Sequence, residues 1–74
     1  MRNSVKVTNL SKLLKMVNMI KNLSYLDEIV ISDRFSKDRI YVKKLPNLLE
    51  VRKMGKVTHM QMSEVSKIAK MLKL

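Results

Sequence analysis

"DEIVISDRFSKDRIYVKK", residues 27–44, is the stretch on which the fold turns. Its two ends, DEIVIS (27–32) and DRIYVKK (38–44), are rich in β-branched residues, and Ile29/Ile31 alternate as Ile40/Val42 do. With Ile31 facing Ile40, Ile29 falls opposite Val42, Glu28 opposite Lys43 and Asp27 opposite Lys44. Two apolar pairs and two opposite-charge pairs from one register specify an antiparallel hairpin. The loop then covers about Asp33 to Asp38, with Arg34, Phe35, Ser36 and Lys37 at its tip. Asp at both ends of a tight loop is ordinary turn chemistry, because its carboxylate bonds the backbone two residues on.

A second hairpin follows the interruption at Pro46 and Asn47. LLEVRKM (48–54) meets the single Gly, Gly55, and continues as KVTHMQM (56–62). A two-residue Met54-Gly55 loop pairs Val51 with Thr58, Leu49 with Met60 and Glu50 with His59. Gly suits the positive φ such a turn needs, whereas Met is a poor first residue for it. A three-residue loop with a bulge would shift this register.

Outside the hairpins the period changes to that of a helix. In NLSKLLKMVNMIKNL (9–23), at about 100° per residue, Leu10, Leu13, Met16, Val17, Ile20 and Leu23 share one side, with Leu14 at its edge. Ser11, Lys12, Lys15, Asn18 and Asn22 occupy the other, and Thr8 or Asn9 supplies the N-cap. Core packing explains this stripe better than a membrane surface does, since no Trp or Phe is present to anchor it in lipid. SEVSKIAKMLK (63–73) repeats the pattern, with Ser63 as N-cap, Val65, Ile68, Ala69 and Leu72 inward, and Lys67, Lys70 and Lys73 outward.

These readings predict one small domain over residues 1–74 of the α+β class. Its order is α-β-β-β-β-α: a two-layer α/β sandwich in which two helices cover one face of a four-stranded antiparallel sheet. Residues 1–7 are read either as a flexible arm or, through Val5–Val7, as an added edge strand. An exposed edge would let two copies pair as a homodimer. The pattern leaves open how the two hairpins join.

Composition narrows the function. The chain has 74 residues and no Cys, so neither disulfides nor thiolate metal sites can stabilise it. An intracellular, cytoplasmic location is the expectation for such a chain. No apolar run approaches the roughly 18 residues of a membrane span. Frequent Lys, Asn, Ser, Ile and Met are what AT-rich coding produces, as in a virus, phage or plasmid. Sixteen basic against six acidic residues give a net charge of +10, above the magnitude of about 2 to 8 usual for a soluble small domain. Residues 1–26 contain no acid at all. Such a field attracts polyanions.

Catalysis is not expected. His59 is the sole His, one Gly cannot build a phosphate-cradling loop, and no metal-ligand spacing occurs, so no cofactor or metal is expected either. Two surfaces remain. The sheet face away from the helices should show Val30, Arg39, Tyr41, Lys43, Arg52, Val57, His59 and Gln61, with Glu28 and Glu50. An aromatic among cations suits phosphates and stacked bases, although one Tyr is few and a solvated polar face is the plainer reading. The hairpin tip offers Arg34 and Lys37 for phosphates and Phe35 as an apolar wedge, unless that ring folds back onto the core.

The expected function is nucleic-acid binding, double-stranded DNA ahead of RNA, in a regulatory or accessory role. Its contact set is Arg34, Phe35, Lys37, Arg39, Tyr41, Lys43 and Arg52, with Lys12 and Lys15 of the first helix adding phosphate contacts. The rival is a protein-binding module, such as a small viral or plasmid inhibitor that engages a host protein.

Overall fold

A computed structural model describes residues 3–35 and 37–72. The elements are β1 (Asn3–Val7), α1 (Leu10–Lys21), β2 (Glu28–Asp33), β3 (Ile40–Lys44), β4 (Leu49–Lys53), β5 (Lys56–Met60), a 3-10 turn (Met62–Glu64) and α2 (Ser66–Lys70). The five strands lie side by side in chain order.

The sheet is five-stranded and mixed, where four antiparallel strands were expected. β1 runs parallel to β2, with Val5 beside Ile31 and Val7 beside Asp33. A parallel pair needs a crossover connection, and α1 is that connection. The physical cause is burial. Val5 and Val7 alternate with Ser4 and Lys6, and pairing with β2 puts both valines into the core. Of the two readings of residues 1–7, the edge strand is the one the fold adopts over Asn3–Val7.

Both hairpins take the predicted registers. Ile31 pairs with Ile40, Ile29 with Val42 and Glu28 with Lys43, and the Lys44 N–H donates to the Asp27 carbonyl at 3.0 Å. Leu49 pairs with Met60, Glu50 with His59 and Val51 with Thr58, and Lys53 opposite Lys56 leaves a two-residue turn. That turn places Met54 at φ 52° and Gly55 at φ 79°, both left-handed. The hairpins join through β3 and β4, with Val42 beside Val51 and Tyr41 beside Arg52. The link between them closes tightly, the Leu45 N–H donating to the Leu48 carbonyl at 2.9 Å.

Asn9 caps α1, its side-chain oxygen accepting the Lys12 N–H at 3.0 Å. Met16, Ile20 and Leu23 are buried against the sheet, and Leu13, Val17 and Met19 pack at the margin. Leu10 departs from its predicted place and is 69 % exposed. The buried stripe is narrow and centred near Met16 and Ile20, and at about 100° per residue Leu10 lies about 120° round from Met16. The C-terminal helix is also shorter than expected. A 3-10 turn capped by Gln61 rather than Ser63 precedes it. The Gln61 N–H donates to the Glu64 carboxylate at 3.1 Å, and the Lys67 ammonium pairs with the same carboxylate. The Lys67 bond, then the Gln61 N–H, hold the Glu64 carboxyl below its ordinary range.

Residues from both helices and from β1 to β5 form one core. The helices therefore cover the same face, that of Val7, Ile29, Ile31, Ile40, Val42 and Val51. The opposite face is open, and the registers put Ser4, Lys6, Glu28, Val30, Ser32, Tyr41, Lys43, Glu50, Arg52, Val57 and His59 on it.

Candidate nucleic-acid interface

The strand pairing divides the molecule into a predominantly basic end and an end of mixed charge. Val7 and Asp33 sit side by side where β1 and β2 finish. Ile31, Ile40, Lys53 and Lys56 form the adjoining row. The entry to α1, the 34–39 loop and the Met54-Gly55 turn all leave from this end. Lys6, Lys12, Arg34, Lys37, Arg39 and Lys56, scattered along the chain, are thereby gathered at one pole, and all of them are exposed. The N-terminus of α1 adds its positive dipole end. Asp33 and Asp38 lie at this pole too, whereas at the other Asp27, Glu28, Glu50 and Glu64 are interspersed with Lys21, Lys43, Lys44 and Lys67.

The most prominent part of the basic pole is the β2–β3 loop. Asp33 is buried, at 5 % exposure, and its carboxylate accepts the Phe35 N–H at 3.0 Å. This turn aims the chain outward at the end of β2. Phe35 does not fold back onto the core; its ring is 66 % exposed. The Arg34 guanidinium lies 5.8 Å from the ring centroid, within cation–π range. Lys37 and Arg39 are exposed on the returning limb. The predicted tip residue Ser36 lies outside the described residues.

On the open face, away from the basic pole, Arg52 and His59 have acidic partners and Lys43 has acidic neighbours. Glu28, Lys43, Glu50 and His59 form one cross-strand row in which Lys43 stands between two carboxylates. His59 Nε2 is 3.4 Å from Glu50. Arg52 lies 3.6 Å from Glu28 and over the Tyr41 ring, 5.1 Å from its centroid. Two further lysines close helix ends. Lys44 Nζ donates to the Lys21 carbonyl at 2.9 Å, and Lys53 Nζ to the Met71 carbonyl at 2.8 Å. Each satisfies a carbonyl that the helix leaves without a partner.

The predicted contact residues therefore fall into three groups. Arg34, Phe35, Lys37 and Arg39 share the projecting loop. Tyr41, Lys43 and Arg52 lie farther down the open face within the Glu28/Glu50 network. Lys12 and Lys15 are exposed on α1, in the other layer, with Lys12 in the first turn and so at the same pole as the loop. Lys6 and Lys56 join this pole without having been singled out. Alternation of Ser4 and Lys6 with Val5 and Val7 is the sequence signal that could have found Lys6.

Among the described residues no group of His, Cys, Asp or Glu could hold a metal ion, and no helix is long and apolar enough to cross a membrane. No family model matches the chain, and no curated protein or solved structure matches it.

Proposed function

We propose that this protein binds nucleic acid, double-stranded DNA ahead of RNA, through its basic pole, in a regulatory or accessory role. The observation that carries this reading is the gathering of Lys6, Lys12, Arg34, Lys37, Arg39 and Lys56 at one end of the sheet, with Asp33 and Asp38 as the acids there, while the acids of the other end are matched by lysines. A molecule so polarised is oriented by a polyanion's field before contact. Arg34 and Lys37 meet backbone phosphates, Lys12 meets a flanking one, and Arg39 lies at the base of the loop. The outward Phe35 ring supplies an apolar wedge for a base step. Tyr41, Lys43, Arg52 and Lys15 extend the contact where the duplex reaches beyond the pole.

Titration with duplex and single-stranded DNA and RNA at two salt concentrations tests this. Each neutralised phosphate contributes about −0.9 to the slope of log K against log salt on duplex DNA. Affinity that is absent or insensitive to salt would reject the reading.

A second reading, a protein-binding module such as a viral or plasmid inhibitor of a host factor, is favoured by one observation. Leu10 and Leu14 stand one turn apart on α1 at 69 % and 61 % exposure. One-to-one capture of a single host protein by the wild type but not by Leu14→Lys, without nucleic-acid affinity, would establish it instead.

A further inference from the structure

At the β1–β2 edge of the open face lies a cleft of about 420 Å³ lined by Ser4, Val5, Lys6, Val30, Ser32 and Arg39. Lys6 stands beside Ser32 in the parallel register, and Ser4 beside Val30. Ser4, Lys6 and Ser32 therefore project to the same side. Arg39 precedes Ile40, the partner of Ile31, and so comes level with Ser32 from β3. Val5 points its side chain into the core and meets the cleft through its main chain. Two cations and two hydroxyls thus converge over an apolar floor, Val30, and none of the lining residues is acidic.

The same end of β1 forms this cleft only because the strand is parallel. In the antiparallel sense over the same span Lys6 would lie beside Val30, away from Ser32 and Arg39. Lys43 and Arg52, the other cations of this face, have Glu28 or Glu50 beside them. The Lys6–Arg39 cleft differs in having hydroxyls where those have carboxylates. Charge-assisted N–H donors and hydroxyl donors around one point are the recognition set for a phosphate group.

We infer that this cleft is a phosphate-binding site, occupied by a backbone phosphodiester when the loop engages nucleic acid. The inference rests on the proposed function for the source of the phosphate. A strand that meets Arg34 and Lys37 at the tip passes Arg39 at the base of the loop, and the cleft receives the adjoining phosphate. Lys6, Ser4 and Ser32 are its specific ligands, and Arg39 bridges the cleft and the loop.

Two measurements on the full chain test it. Inorganic phosphate, titrated at ionic strength held constant with chloride, should shift the amide resonances of residues 4–6, 32 and 39 saturably. Lys6→Gln should abolish those shifts without lowering the melting temperature. On duplex DNA, Lys6→Gln should reduce the salt slope by about one, whereas Lys21→Gln, at the opposite pole, should leave it unchanged. Arg39→Gln, outside the sheet, serves as a second variant should Lys6→Gln disturb β1. DNA binding with an unaltered slope in both variants, and no phosphate shifts, would overturn the cleft and leave the proposed function standing. Phosphate shifts that depend on Lys6 in a protein without nucleic-acid affinity would establish the site with a free phosphate as its ligand, and would overturn the phosphodiester assignment. Absence of both would overturn both.

Discussion

The Asp33 carboxylate accepts the Phe35 N–H at 3.0 Å while Asp33 itself is 5 % exposed, so a buried acid holds an exposed aromatic in place. The loop that carries Arg34 and Phe35 is anchored from within the fold. Removing the acceptor leaves a backbone N–H without its partner, and hydrogen bonds to charged groups are worth about 1.5–3 kcal/mol. Asp33→Ala should lower stability by about that amount in urea unfolding, and Asp33→Asn, which keeps an acceptor oxygen, by less.

The loop residues themselves should behave oppositely. Phe35 is 66 % exposed, so Phe35→Ala should change stability by no more than about 0.5 kcal/mol. On the proposed function it should weaken duplex binding, since a ring wedged at a base step is lost. Arg34→Ala and Lys37→Ala should each reduce the salt slope by about one at unchanged melting temperature. Should Arg34 read a base edge, its loss should cost about 1–3 kcal/mol on the preferred sequence and much less on others.

Along α1 the exposure pattern separates residues that look alike in sequence. Met16 and Ile20 are fully buried, whereas Leu10 and Leu14 are 69 % and 61 % exposed. Met16→Ala or Ile20→Ala should cost about 2–5 kcal/mol, and Leu10→Ala or Leu14→Ala within about 0.5 kcal/mol. Ile68→Ala in α2 belongs with the first pair. Half-buried Leu13 should fall between the two groups. Thermal melts of the series decide it.

At the Met54-Gly55 turn both residues have positive φ, 52° and 79°. A left-handed conformation costs a residue with a Cβ roughly 1–2 kcal/mol, least for Asn. A Cβ built on Gly55 meets nothing within 4 Å, so the loss in Gly55→Ala should come from the backbone alone, about 1–2 kcal/mol. Met54→Asn should raise the melting temperature, because Met already bears that cost and its side chain is exposed.

Glu64 makes a pH-dependent contribution. Its carboxyl is held below its ordinary value of 4.5, first by the Lys67 hydrogen bond and then by the Gln61 N–H. Between the folded and unfolded values the unfolded chain binds more protons, so stability rises with pH there. The contribution is complete above the unfolded value and is lost as pH falls through the lowered folded value. Glu64→Gln should reduce the acid-side slope of stability against pH, and Lys67→Met should weaken the same dependence.

The amino-acid sequence by itself determined the two hairpins, their registers and the helical ends, because these are local. Ile31–Ile40 and Val51–Thr58 follow from a period of two and a short turn, and Asn9 caps α1 within three residues. It also marked Arg34, Phe35, Lys37 and Arg39 as neighbours, since they are consecutive or nearly so. The parallel placement of β1 needed the tertiary structure, because Val5 and Val7 alone carry too little pattern to name a partner across a 12-residue helix. That pairing brings Lys6 to Ser32 and Arg39, and puts the start of α1, and so Lys12, at the loop's end of the sheet. Burial of Asp33, exposure of Leu10 and the engagement of Lys44, Arg52 and Lys53 by groups distant in sequence were decided there as well. A residue's charge and period are written in the chain, but whether its charge is neutralised or offered to a partner depends on which strands and helix ends the packed core sets beside it.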